Sequence, residues 1–229
     1  LGYGQVEDNY FQSSVIDFDK DRSDRSTYKL LGGSIGFYGS TLNTRQYATK
    51  GYLEKLIAQV FTGRERFEPG NPQEGYSPSP QERQSWLQIS YMKEAYHTMG
   101  PKFTLGWMAE ALYSSKNFSE NYTATMMQAG EFAPTPHSKL MYNEAFRANQ
   151  YVAAGIKPIY VLNDMFQFRT EFYGFTPIFP IKKNALNKAY YGKAFSRFEY
   201  MGEVSVICHL PFGAISAYVN HYSSPRREW

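Results

Sequence analysis

Residues 194–208 read Ala-Phe-Ser-Arg-Phe-Glu-Tyr-Met-Gly-Glu-Val-Ser-Val-Ile-Cys, and their alternation decides the fold class. Ala194, Ser196, Phe198, Tyr200, Gly202, Val204, Val206 and Cys208 fall on one side of an extended chain. Arg197, Glu199, Glu203 and Ser205 fall on the other. A period of two is the mark of a half-exposed strand. A soluble sheet would also alternate, but here the polar side carries acids and an arginine in mid-strand. Residues that pair with one another across a watery lumen have that character.

The same ribbon recurs along the chain. Lys102–Tyr113 sets Phe103, Leu105, Trp107, Ala109 and Ala111 against Thr104, Gly106 and Glu110, and Asp164–Phe175 sets Phe166, Phe168, Thr170 and Phe172 against Gln167, Arg169 and Glu171. Less regular alternation covers Thr27–Leu42, Gly51–Arg66, Glu82–Thr98, Asn143–Val161 and Gly213–Tyr222. That makes eight candidate strands, with Tyr10–Phe18 as part of a ninth. The predicted connections alternate in length. Asn43–Lys50, Met99–Pro101, Leu162–Asn163 and His209–Phe212 are short, whereas Gly63–Gln81, Ser114–Tyr142 and Thr176–Gly192 are long. Up-and-down barrels of bacterial outer membranes segregate loop length by end in this way. The expected fold class is therefore all-β: an antiparallel up-and-down transmembrane β-barrel, or a contiguous part of one with eight to ten strands.

Composition agrees. The 229 residues include 20 Tyr, 17 Phe and 3 Trp, yet mean hydropathy is −0.52. Bulky rings without aliphatic partners suit a wall with one greasy and one wet face better than a soluble core. No stretch approaches the roughly 18 apolar residues of a membrane-crossing helix, whereas barrel strands average to near neutrality. The net charge of +3 is spread without runs of one sign, which argues against nucleic acid. The lone Cys208 sits in an apolar run and reads as a buried or lipid-facing thiol. The chain shows no leader, as expected of a processed protein or of a piece of a longer one. All 229 residues are read as one barrel domain, with 1–25 as leading strand and loop and with the final closing strand missing.

Motifs for chemistry are weak. Gly32-Gly33-Ser34-Ile35-Gly36 matches G-x-S-x-G, but a nucleophile elbow needs a strand-to-helix turn, and Ser34 lies in an extended run. His97, His137, His209 and His221 share no metal-ligand spacing. Ser216 and Ser196, with His221 or His97, are conceivable members of a serine triad that nothing singles out. No catalytic, cofactor or metal site is expected. Arg147, Arg169, Glu171, Arg197, Glu199 and Glu203 are the most suggestive polar set, being mid-strand and inward; they read as charges satisfying one another across the lumen, or as the lining of a conduction or export path. Tyr113, Phe175, Phe179, Tyr190, Tyr191, Tyr218 and Tyr222 read as an interfacial girdle.

Several segments carry a family resemblance. Residues 40–51 (STLNTRQYATKG), 63–65 (GRE), 143–151 (NEAFRANQY), 154–158 (AGIKP), 169–175 (RTEFYGF) and 219–225 (VNHYSSP) resemble the C-terminal region of patatin-like phospholipases of anaerobic Gram-negative bacteria. The resemblance spans about residues 30–225. It implies a barrel of about sixteen strands, related to the Omp85 and surface-antigen group, placed after a secreted patatin domain. This chain would then anchor that lipase in the outer membrane, and would carry it across. The implied partners are outer-membrane lipid and lipopolysaccharide, the barrel-assembly machinery and the covalently linked patatin domain. None of the family's catalytic residues transfers to this sequence, so this chain is not itself expected to be an enzyme. An integral barrel hydrolase, a pore and a soluble aromatic-rich lipid-binding barrel are the other readings the residues leave open.

Overall fold

The computed structural model describes residues 1–12, 17, 20–71 and 83–224. Nine strands form one antiparallel sheet in chain order: β1 (Gly2–Tyr10), β2 (Asp24–Ser40), β3 (Gly51–Glu68), β4 (Arg83–Thr98), β5 (Phe103–Ser114), β6 (Gln150–Val161), β7 (Phe166–Pro177), β8 (Glu199–Leu210) and β9 (Gly213–Tyr222). The sheet is not closed; β1 and β9 are its two edges. The sequence alternation placed eight of these strands. The ninth is Gly2–Tyr10, which shares Tyr10 with the expected Tyr10–Phe18; residues 13–16 and 18 of that stretch lie outside the described residues. Strand β1 is nearly all polar or glycine, so no alternation announces it. It forms because β2 offers it backbone groups from Gly32 to Asp24.

The connections sort by end. Residues 11–23, 69–82, 115–149 and 178–198 link strands at one end, and residues 41–50, 99–102, 162–165 and 211–212 at the other. The tightest, Leu210 to Gly213, is a hairpin turn whose Gly213 has φ of 157°. In 41–50, Gly51 (φ 89°) lets the chain re-enter β3 past the Thr41 carbonyl, where any Cβ would stand 2.1 Å from that oxygen.

The strand expected over Asn143–Val161 is shorter. A 3₁₀ turn (Glu144–Phe146) and a two-residue strand (Arg147–Ala148) precede β6. They belong to the 115–149 segment, which folds as a unit. Its helix α1 (Tyr122–Gln128) starts at Asn121, whose side chain accepts from the Ala124 N–H at 2.8 Å. At the other end the Arg147 Nη1 donates to the carbonyls of Met126, Met127 and Ala129, at 3.4, 3.0 and 3.2 Å. Gly130–Glu131 pairs with Arg147–Ala148 to fasten the two ends.

This unit packs against one face of the sheet. Phe132 lies 5.9 Å from Phe175, ring centre to ring centre, and Phe146 lies 5.7 Å from the same ring; Met108, Leu112, Tyr151, Tyr173 and Met201 belong to the same buried cluster. Each fully buried ring contributes roughly 1.5–3 kcal/mol. Polar contacts extend the unit to both edges of the sheet. Asn121 donates to the Tyr10 hydroxyl at 2.8 Å and Gln128 to Asp8 on β1, while His137 Nδ1 meets the Tyr222 hydroxyl of β9 at 2.8 Å. Phe175 and Tyr222, expected in a girdle, are therefore packing partners of this unit, whereas Tyr113, Phe179, Tyr190 and Tyr191 are exposed.

Candidate functional site

The two faces of the sheet differ in polarity, the buried one being mixed and the exposed one apolar. The buried face carries Lys157, Gln167, Arg169, Glu171, Glu203 and Ser205, and the exposed face carries Phe168, Phe172, Tyr200, Val204, Val206, Ile215 and Val219. Tyr173, Phe175, Met201 and Ile207 lie on the buried face beside those polar groups, but a soluble half-covered sheet turns polar residues, not a continuous apolar surface, to the uncovered side. From β5 to β9 the exposed face holds no Asp, Glu, Lys or Arg within the strands. It consists of Phe103, Leu105, Trp107, Ala109, Ala111 and Tyr113 on β5 and continues through alternate residues of the next four strands.

On β2 to β4 this apolar face has measurable borders. Lys29 stands opposite Arg64, and Arg64 opposite Arg83, making one charged row near the long connections. Ten residues along, Gly39, Glu54 and Lys93 stand opposite one another and make a second row near the short connections. Between them the same face shows Leu31, Gly33, Ile35 and Phe37 on β2, Leu56, Ala58, Val60 and Thr62 on β3, and Ser85, Leu87, Ile89 and Tyr91 on β4. Ten residues at about 3.3 Å each span roughly 33 Å of strand. At a barrel tilt near 40° that is about 25 Å of height, the thickness of a membrane barrel's apolar band. At the second row Glu54 accepts from the Tyr91 hydroxyl at 2.7 Å and pairs with Lys93 at 3.5 Å, so its charge is answered. Trp107 Nε1 donates to His97 Nε2 at 3.3 Å close by.

The buried face is held by charges that reach over intervening strands. Lys157 of β6 pairs with Glu94 of β4 at 3.0 Å. Arg169 of β7 pairs with Glu171 at 3.0 Å, donates to the Tyr96 hydroxyl of β4 at 3.3 Å, and donates to the Ala48 carbonyl in the 41–50 connection at 3.0 Å. The Tyr96 and Tyr173 hydroxyls donate to Glu94 and Glu171. Gln167 donates to the Tyr47 carbonyl at 3.3 Å, and the Tyr47 hydroxyl donates to Ser216 of β9 at 2.7 Å. Arg169 and Glu171 are 2% and 8% exposed at their side chains. Glu203 lies opposite Glu171, is equally buried, and has no hydrogen-bond partner for its Oε2 among the described residues.

Of the six charges singled out in the sequence, Arg169, Glu171 and Glu203 form this group. Arg147 belongs to the 115–149 unit, where it bridges the α1 carbonyls and pairs with Glu131 at 2.8 Å. Arg197 precedes β8 and pairs with Glu199 at 2.9 Å, with Ser223 donating to Glu199 from the other side. Glu199 lies four residues along β8 from Glu203, at the end with the long connections. The sequence reading missed Lys157, Glu94, Tyr96 and Tyr47. Their signal was present but split: Lys157 is the one charge of β6 and Glu94 follows Lys93 in an irregularly alternating strand, and the proximity of Lys157 to Glu94 depends on curvature that no spacing encodes.

Ser34 lies in the middle of β2 opposite Gln59, without the turn an elbow requires. Ser196 donates to the Lys193 carbonyl at 2.7 Å, and Ser216 accepts from Tyr47. Among the described residues no three His, Cys, Asp or Glu side chains gather as metal ligands. Among the described residues no helix is long and apolar enough to cross a membrane, which says nothing of crossing by strands. No family model, no curated protein and no solved structure matches this chain.

Proposed function

We propose that this chain forms part of the wall of an outer-membrane β-barrel, with its interior filled, and that the barrel anchors and conveys a covalently linked patatin-like phospholipase domain. The observation that carries the membrane reading is the uncharged outer band, about 25 Å high, between two rows of charge. Water would leave that band as a large exposed apolar patch on a soluble protein. Lipid makes it the low-energy surface.

The open edges support a larger barrel. In hydrocarbon an unpaired backbone N–H or C=O costs several kcal/mol, so only closed sheets persist there. Neighbouring strands run in opposite directions, so β1 and β9 run the same way. Direct closure would need a parallel seam; an antiparallel barrel needs an odd number of further strands. Seven more would give the sixteen that the resemblance implies. The 115–149 unit, spanning the buried face from β1 to β9, favours an anchor over an open pore. The patatin partner rests on the sequence resemblance alone.

The test is fractionation of the natural polypeptide in its own cells. The expected result is recovery in the outer membrane, release only by detergent, heat-modifiable migration, and phospholipase activity carried by the same polypeptide. Recovery in the soluble fraction would sink the membrane reading. A reading frame without a patatin domain would sink the anchoring role.

A further inference from the structure

Lys29, Arg64 and Arg83 stand directly opposite one another on β2, β3 and β4, all exposed and all on the apolar side of the sheet. Like charges directly opposite on neighbouring strands repel. No acid among the described residues pairs with them. Among the described residues Lys29 and Arg64 have no ion pair, and the Arg83 Nε donates to the Thr62 hydroxyl at 3.0 Å. The nearest acids on this face are already engaged, Glu68 by Arg66 at 2.7 Å and Glu7 by Arg25 at 3.4 Å. The row is about 10 Å wide at the usual strand spacing.

What lies beneath the row completes the picture. The next level holds the hydroxyls of Thr62 and Ser85, joined at 2.9 Å, beside Leu31. Below it come Val60 and Leu87, then Ile35 and Ile89. Cations, then hydroxyls, then a smooth apolar wall is the complement of an amphiphile with a phosphate headgroup and acyl chains. Guanidinium groups match phosphate in geometry as well as charge.

We propose that Lys29, Arg64 and Arg83 form a binding site for the phosphate groups of an outer-leaflet membrane lipid, whose acyl chains lie on Leu31, Val60 and Leu87. The site rests on the membrane reading above and adds a specific ligand to it. The bound phosphate removes the mutual repulsion of the row and fixes which level of the barrel meets the headgroups.

The test uses the full-length protein folded in neutral detergent and titrated with bisphosphorylated lipid A, with its dephosphorylated counterpart and with inorganic phosphate, followed by native mass spectrometry. The bisphosphorylated lipid should bind at least about tenfold more tightly than the dephosphorylated one, as expected where charge-assisted contacts are lost. A Lys29→Gln, Arg64→Gln, Arg83→Gln variant should lose the same factor, and inorganic phosphate should not compete. Equal binding of the two lipids, undiminished binding by the variant, or competition by inorganic phosphate at matching concentration overturns the proposal. Insertion into phosphatidylcholine vesicles, measured in parallel, separates the two readings. A protein that inserts but ignores the phosphates removes only this site, and one that fails to insert removes the membrane reading and the site with it.

Discussion

Ile35→Arg tests the outer band at its middle. Ile35 is 77% exposed and faces the same way as Leu31 and Phe37. It lies six residues from the Lys29 row and four from the row of Gly39, Glu54 and Lys93, so the nearer border is about 10 Å away in height. In a soluble protein, arginine at so exposed a position would change stability by about 0.5 kcal/mol at most. At the midplane of a bilayer it costs roughly 2–4 kcal/mol, falling to about 0–1 kcal/mol near the interfaces. Thr62→Arg, two residues from Arg64 on the same face, supplies the shallow reference. The assay is reversible folding into phosphatidylcholine vesicles across a guanidinium series. Ile35→Arg should lower the folding constant about 30- to 900-fold, since each 1.36 kcal/mol is a factor of ten, and Thr62→Arg should lower it about fivefold at most. Equal effects at the two depths, or no effect at either, would refute the band.

Two further predictions concern the filled side. Arg169→Met leaves Glu171 buried without its cation and should cost about 3–5 kcal/mol in the same titration; Arg169→Met with Glu171→Gln should recover more than 1 kcal/mol of it. In the connection after β5, burial pushes the Lys116 amine down from 10.5 to about 8, with Glu65 and Asp8 pulling it back up, while its Nζ sits 5.2 Å from the Trp86 ring. The depressed value means that burial of the charged form opposes folding fully below pH 8. That penalty, about 3 kcal/mol, fades as pH rises from 8 towards 10.5. In a protein whose other two tryptophans are phenylalanine, Trp86 emission should therefore shift with a midpoint near pH 8, and Lys116→Met should abolish the shift. A midpoint above pH 10 would contradict the burial.

The legible parts of this fold were those where one residue's neighbour in sequence fixes its environment. Alternation from Ala194 to Cys208 assigned β8 and both of its faces, because side chains two apart share a face whatever the sheet does. The short connections followed from the same register. Strand β1 was not legible, since Gly2-Tyr3-Gly4-Gln5 has no amphipathic rhythm and is strand only because β2 extends beside it. The 115–149 unit was not legible either. Its helix is a single seven-residue piece, and what holds it is Phe132 and Phe146 against Phe175, a contact between residues about 30 to 45 apart in sequence. Arg147 looked like a strand charge because the loose alternation of Asn143–Val161 runs through it; its partners lie on α1 and just beyond, and no local pattern distinguishes the two roles.

Curvature joins these observations, and the buried face shows what imposes it. At Gly106 on β5 an added Cβ would stand 2.6 Å from the Tyr96 ring of β4, and at Gly155 on β6 it would stand 2.2 Å from the Tyr173 ring of β7. Each ring covers a position on a neighbouring strand that has no side chain, while the exposed surface there carries Trp107, Ile156 and Phe172. A sheet with its bulk on one side bends away from that side. The bend brings Glu94 within 3.0 Å of Lys157, two strands over, and Tyr96 within reach of Arg169, three strands over. Flattening the sheet would separate those charges in an interior from which water is largely excluded, and unpaired charges there cost far more than the pairs return. The glycines permit the arc and the ion pairs hold it. An arc of nine strands with its apolar side outward is the shape that the proposed membrane wall requires, since hydrocarbon on that side would make the apolar surface the low-energy one.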